Sequence, residues 1–257
     1  MDLINKMEII RVLKSSPIPI SIVLIIPLSF SLLSLSNYNS VYVNGQENNE
    51  MTANGLVLSI NNIQLNNTKS PILGSLDAPI TIIDFSDFQC YMCARYVKNT
   101  EPIINETFLQ TGKAKLIFKH FPIRGFDSMG ASLAAQCINE QGQSKFWEFH
   151  NLLYHNQGQI DSGWVSKENL KNFASQISGI YMDRFVDCVD SEKYKEFVQQ
   201  DLELAKKFKF TESPSFVIIY SNGTDPEYLS GAHPFPSFSS IIDKKLERFC
   251  SFSKKLD

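Results

Sequence analysis

The sequence predicts an α/β layered domain interrupted by a block of helices. Three observations lead to that reading. A β-branched run feeds directly into a Cys-x-x-Cys pair and the start of a helix, over Ala78–Val97. A second strand-like run, Lys115–Phe121, is followed by a helical block from about 128 to 209. Beyond Pro214 the strand pattern returns over Phe216–Ser230, before one closing helical segment. Strands separated by long helical patterns favour mixed layers over an all-β or all-α domain.

Each element has a local reason. Ala78–Phe85 (APITIIDF) is short, β-branched and set behind a Gly/Pro/Asp cluster, the pattern of a buried strand. The cysteine pair comes next, and Ala94–Val97 opens a helix. Lys115–Phe121 (KLIFKHF) alternates as a strand does and stops at Pro122. In the helical block, Ala131, Leu133, Ala134, Ala135, Cys137 and Ile138 form one apolar helix and Phe146–Tyr154 another. Lys167–Ser175 and Ser191–Lys207 add two more, the first capped by Ser166. Pro214 ends the block. Phe216–Tyr220 is then a strand, Ser221-Asn222-Gly223 a turn, Glu227–Ser230 a partner strand and Pro236–Phe249 a closing helix.

The chain of 257 residues is long enough for a sizeable core, and 43% hydrophobic with 20% charged residues is an ordinary globular composition. A net charge of −3 with scattered basic residues leaves no footprint for nucleic acid. The N-terminus differs from that average. Lys6, Arg11 and Lys14 precede Pro17–Leu35, an uncharged apolar run that is either an uncleaved membrane anchor or a cleaved signal peptide. Pro17, Pro19 and Pro27 argue against a buried core helix there. Both membrane readings place the rest of the chain outside the cytoplasm. Residues 37–70 are rich in Asn, Gln and Ser and read as a polar spacer, with a short strand at Leu56–Ile60. The organisation expected is a signal or anchor over 1–36, the spacer, and a packed domain over 71–257.

Chemistry concentrates at Cys90-Tyr91-Met92-Cys93. A structural zinc site needs four ligands, and no second CxxC or suitably spaced Cys/His pair accompanies this one. His120, His150, His155 and His233 are too scattered to serve and read as surface or core residues. Between a buried strand and a helix N-terminus, the first cysteine gains from backbone N–H groups and the helix dipole, which favour a thiolate. A thiol of pKa ~8.5 is about 3% ionised at pH 7, whereas one lowered to ~6 is about 90% ionised. Cys90 is the expected nucleophile and Cys93 the resolving thiol. Tyr91 and Met92 carry no cation, so the helix terminus is expected to do most of the stabilising. Ser213-Pro214 is read either as an ordinary trans turn or as a cis peptide facing the CxxC. Asp84, six residues before Cys90, is either a strand-end surface carboxylate or a buried acid that exchanges a proton with Cys93.

APITIIDFSDFQCYMCARY, then KHFPIRG, FWEFHNLLY and SPSFVIIYSNG, occur in the order seen in the DsbA-like thiol–disulfide oxidoreductases, and the chain resembles that family from about Pro71 to Phe249. The resemblance implies a thioredoxin-like fold, a central mixed sheet flanked by helices, with the helical block as an inserted subdomain over the active-site face. It makes Cys90 the attacking cysteine, Cys93 the resolving one, Pro214 a cis-proline, Ser213 the substrate-contacting residue before it, and Asp84 the acid of the strand. Family members commonly carry Pro after the first cysteine and often His before the second; Tyr91 and Met92 stand there instead. Ser213 replaces the Thr or Val of many relatives.

Five cysteines suit an oxidising compartment. Cys137 and Cys188, both on apolar faces of the helical block, are expected to pair as a structural disulfide, worth on the order of 4 kcal/mol in the chain-entropy model. Cys250 remains without an assigned role. The dithiol itself is the redox centre, so no organic cofactor or metal is implied. The partners implied are exported proteins with cysteines and a redox partner that restores the pair, plus the membrane if the N-terminal segment is retained. Dithiol oxidase is the leading function; a reductase or isomerase, and a tethered binding or chaperone module with a structural CxxC, are the alternatives.

Overall fold

A computed structural model describes residues 69–253. The N-terminal apolar run and the expected strand at Leu56–Ile60 lie outside the described residues. Five strands form one mixed sheet: β1 (Ile72–Gly74), β2 (Ile80–Ser86), β3 (Ala114–His120), β4 (Ser215–Tyr220) and β5 (Glu227–Ser230), in the spatial order β1-β3-β2-β4-β5. β2 and β3 run parallel, and every other pair is antiparallel.

β2 is the central strand and is buried at all seven positions. A strand covered on both faces reads as a continuous apolar run rather than an alternating one, which explains ITIIDFS. Its side chains still alternate between faces. Ile80 and Ile82 join the larger core with Phe216 and Ile218, whereas Ile83 and Phe85 join a second core with Val217 and Ile219. Asp84 shares the parity of Ile80 and Ile82, so its carboxylate enters the larger core.

The helices are α1 (Tyr91–Asn99), α2 (Glu101–Ile104), α3 (Asp127–Asn139), α4 (Gln143–His155), α5 (Lys167–Ala174), α6 (Met182–Asp190), α7 (Lys195–Lys207) and α8 (Phe235–Ser253). α1 passes into α2 with almost no break: Thr100 N donates to Tyr96 O and Ile104 N to Thr100 O. A π-helical turn, Asn105–Leu109, completes the descent into β3. The block α3–α7 occupies the stretch between β3 and β4. Within it Ser166 Oγ accepts from Asn169 N at 3.4 Å at the start of α5. α7 covers the second core through Leu204 and Ala205. Among the described residues, no helix is long and apolar enough to cross a membrane.

Three elements are absent from the sequence expectation. The edge strand β1 has three residues, too short for a periodicity signal, and exists because it pairs with β3 from Ile72↔Ile117 to Gly74↔Lys115. The α2 and π-turn segment carries no periodicity of its own and continues α1 by backbone hydrogen bonding. Residues 182–190 form a helix of their own, so the helix expected over Ser191–Lys207 begins at Lys195, after α6 closes at Ser191.

Candidate active site

β2 ends at Ser86, and the next four residues build the turn that presents the cysteines. Asp87 makes that turn. Its Oδ1 accepts from Gln89 N at 2.8 Å, while its carbonyl accepts from Cys90 N at 3.0 Å. An Asp bonding its own backbone two residues on is a common turn device. The other oxygen ties in the loop after β3, accepting from Ile123 N and Arg124 N at 2.7 Å each. Ser128 Oγ at the start of α3 donates to Oδ1 at 2.8 Å. Gln89 adds bonds to Ser128 Oγ at 3.1 Å and Asp161 Oδ1 at 3.0 Å, and Asp161 N donates back to Gln89 Oε1 at 2.8 Å. The cysteine turn is thereby anchored to the helical block at two places.

Cys90 caps α1 in extended geometry, with φ −80° and ψ 117°. Both cysteines are thiols; Cys90 is 2% exposed and Cys93 is fully covered. The Ser213–Pro214 peptide is cis and faces them, Cys90 Sγ donating to Ser213 O at 3.0 Å. The structure therefore brings Cys90, Cys93, Ser213 and Pro214 together, with Asp84 buried below.

The electrostatics separate the two thiols. Cys90 is lowered to about 6, chiefly because the Cys93 thiol can donate to its thiolate. Burial opposes that, and the Ser213 hydroxyl, the Cys93 backbone N–H and the Arg124 guanidinium all assist. The Ser213 hydroxyl has no hydrogen-bond partner in the thiol state, so it is free to serve a thiolate. Cys93 is pushed well above its ordinary value by burial and by the nearby Cys90 and Asp84 charges. Asp84 is raised to about 7 by burial, against a hydrogen bond from Ser86 Oγ at 2.5 Å. One expectation is corrected here. The helix terminus does not act alone: its Cys93 N–H is joined by the Cys93 thiol, which is the largest lowering cause. A cation is present after all, contributed by Arg124 from a loop thirty-four residues away in sequence rather than by the CxxC dipeptide.

Cys137 and Cys188 are joined by a disulfide between α3 and α6, and Cys250 is an exposed thiol on α8. His120 and His150 are buried in the aromatic core, and His150 is lowered to about 3 by burial, so it stays neutral. His155 and His233 bond to backbone carbonyls at the surface.

A thioredoxin family model matches residues 66–244, more than half of the chain. The probable disulfide bond formation protein D of Bacillus anthracis is 31% identical over 177 residues, covering 68% of this chain and 78% of that protein. The chain belongs to the DsbA-like thioredoxin-fold family. Two solved members share its architecture. The oxidised form of BdbD from Bacillus subtilis gives a TM-score of 0.63 at 24% identity, over 70% of this chain and 94% of that one. Wolbachia pipientis alpha-DsbA1 gives 0.62 at 26%, over 72% and 94%.

Within this DsbA-like frame, sequence reasoning missed Asp87, Gln89, Arg124, Ser128 and Asp161. Asp87 had a legible signal, since an Asp two residues before a turn amide suggests an Asx-turn. Arg124 and Asp161 had none, because only the folded chain places them beside Gln89 and Cys90. Two buried groups are equally silent in the sequence. Glu101 is 6% exposed with an unpartnered Oε2, and the Tyr96 hydroxyl is buried without a partner.

Proposed function

We propose that this thiol–disulfide oxidoreductase works outside the cytoplasm as a donor of disulfides to exported proteins that carry cysteines. Cys90 exchanges with the substrate and Cys93 resolves, Ser213 and Pro214 receive the substrate strand, and Asp84 exchanges the Cys93 proton. One observation carries the reading: the two thiols are driven apart, Cys90 to about 6 and Cys93 well above its ordinary value. A stabilised Cys90 thiolate favours the reduced protein, which makes its disulfide a better oxidant.

In the donating direction, a substrate thiolate attacks Cys90 Sγ and breaks the Cys90–Cys93 bond. Cys93 leaves and takes a proton from Asp84. A second substrate thiolate then attacks the substrate sulfur of the mixed disulfide, and Cys90 departs as a thiolate. The substrate is oxidised to a disulfide and the enzyme reduced to a dithiol, which a second redox protein must reoxidise. The exported location is supported by the apolar run Pro17–Leu35 behind basic residues and by the Cys137–Cys188 disulfide, a bond that persists in oxidising compartments. The same reading divides the chain into a signal or anchor over 1–36, a spacer over 37–70 and the catalytic domain over 71–257, with its helical insertion at about 128–209.

Equilibration of the full chain with glutathione tests the direction. The expected potential lies nearer the ~−120 mV of strong oxidants than the ~−270 mV of thioredoxin. A value at the lower figure overturns the donor reading in favour of a reductase.

A further inference from the structure

The redox site by itself leaves the proton of Cys93 with nowhere to go. Cys93 and Asp84 are both 0% exposed, so a proton passed between them stays sealed in the core. Yet each turnover changes the charge on Cys93, and the pair must exchange with solvent before the next.

The helix that carries Cys93 contains a way out. Because hydrogen bonding runs through Thr100, α1 and α2 act as one helical rod, and positions three, four and eight apart share a face. Counting from Cys93, that face holds Tyr96, Val97, Thr100, Glu101 and Ile104, every one of them buried. Glu101 lies ~12 Å down the axis from Cys93 at 1.5 Å per residue. Tyr96 sits between. Its ring packs on Phe216 at 4.7 Å between centroids, and Phe216 is the cross-strand neighbour of Asp84. Asp84 projects into this same core.

Four polar atoms in that region lack a hydrogen-bond partner: Asp84 Oδ2, the Tyr96 hydroxyl, Glu101 Oε2 and, from α4, the Tyr154 hydroxyl, which faces Cys93 and Asp84. Buried polar groups are ordinarily paired, so four in one core call for a reason beyond packing. Tyr154 is fully covered and leads no further, whereas the other three rise in exposure from Asp84 at 0% through Tyr96 at 1% to Glu101 at 6%. Beside Glu101, Thr100 Oγ1 donates to the carbonyl of His233, in the turn ahead of α8.

We propose that Tyr96 and Glu101 form the outer leg of a proton route that connects Asp84 with solvent, with Glu101 as the terminal proton-holding carboxyl. The proposal rests on the reading of Cys93 as the resolving thiol and deepens it. The charge relations agree. Burial, and then the Asp84 charge, hold Glu101 well above the ordinary glutamate range, which favours its protonated form. The Tyr96 phenol is raised by burial, then by Glu101 and Asp84. The titratable groups that act with Glu101 are thus Asp84 on β2 and Tyr96 on α1. α8, packed against this region, contributes phenylalanine rings, Phe238 against Tyr96 and Phe235 against Phe108. Each step is a proton hop with no change of oxidation state. As Cys93 attacks the mixed disulfide, its proton passes to Asp84, and Asp84 is later discharged through Tyr96 and Glu101. Tyr96 and Glu101 touch no substrate sulfur and are positioning residues.

The test uses the reduced full chain carrying a chromophoric aryl thiol as a mixed disulfide on Cys90. All measurements carry Cys250→Ser, which removes the exposed thiol of α8. Release of the aryl thiol then reads the attack by Cys93, and the initial capture of the reagent reads Cys90. In the wild type the pH profile of release should show two apparent ionisations, belonging to the coupled acids. Glu101→Gln should collapse them to one and slow release about tenfold, while leaving the capture rate unchanged. Tyr96→Phe keeps the ring packing and should slow release in the same way, which preserves the test if Glu101→Gln fails to fold. Two outcomes overturn the proposal: a wild-type release profile in the variants, or an equal loss in capture and release. Absence of release from the wild type is a separate result that removes Cys93 as the resolving thiol.

Discussion

At the scale of single residues, the site works by contrast between two chemically identical thiols. Cys90 sits at a helix end with donors aimed at it, whereas Cys93 is sealed in the core beside a carboxylate. The ranking of causes can be measured. Replacing Cys93 with Ala should raise the Cys90 pKa most, Ser213→Ala should raise it less, and Arg124→Ala should raise it least, all read from the ultraviolet absorbance of the thiolate. A larger effect from Arg124→Ala than from Ser213→Ala would mean that charge, not local hydrogen bonding, sets the nucleophile. Near-neutral rates should follow the same order, because a thiol at about 6 is mostly ionised at pH 7 and each increase removes attacking species.

At the scale of elements, the helical block is held to the sheet by polar ties as well as apolar packing. Lys119 of β3 and Asp201 of α7 form a buried ion pair at 2.9 Å, and His120 N donates to the other Asp201 oxygen at 3.1 Å. Every partner of this pair is satisfied, including Ser70 Oγ, which lies 2.9 Å from Lys119 Nζ. The Cys137–Cys188 bond closes a separation of 51 residues and joins α3 to α6. Removing it by changing both cysteines to Ser should lower the unfolding free energy by up to about 4 kcal/mol in urea titrations. Exchange at Cys90 should be unaffected, since neither cysteine contacts the redox pair. A loss of exchange without a loss of stability would show instead that this bond participates in electron transfer.

For the whole molecule, these pKa values link redox state to stability. Cys90 is lowered in the folded reduced protein, so its contribution is present above the unfolded thiol value near 9.0 and is lost as pH falls through about 6. Asp84 is raised to about 7, so it favours the fold at low pH and that benefit fades as pH rises from 3.8 to 7. Asp84 is present in both redox forms, and the difference between them largely cancels its effect. Denaturation of reduced and oxidised protein in parallel should therefore show the reduced form gaining on the oxidised one between pH 6 and 9. A difference that stays flat across this window would contradict the lowered Cys90 value. Cys93, raised in the fold, reverses the gain at higher pH.

By itself the sequence determined what periodicity and local chemistry can encode. The buried run ITIIDF, the CxxC at a strand-to-helix junction, the Pro before FVIIY and the amphipathic helices all state their conformation within a few residues. They sufficed for the α/β class, the family resemblance and the two cysteines proposed as the redox pair. Tertiary structure alone decided the rest, because the partners come from distant parts of the chain. β1 is a strand only because β3 offers it hydrogen bonds, Arg124 is a Cys90 cation only because Asp87 gathers its loop, and Glu101 is a buried acid only because α8 closes over a helix face that looks ordinary in sequence. Charge and burial are properties of a neighbourhood, and a neighbourhood is assembled by folding.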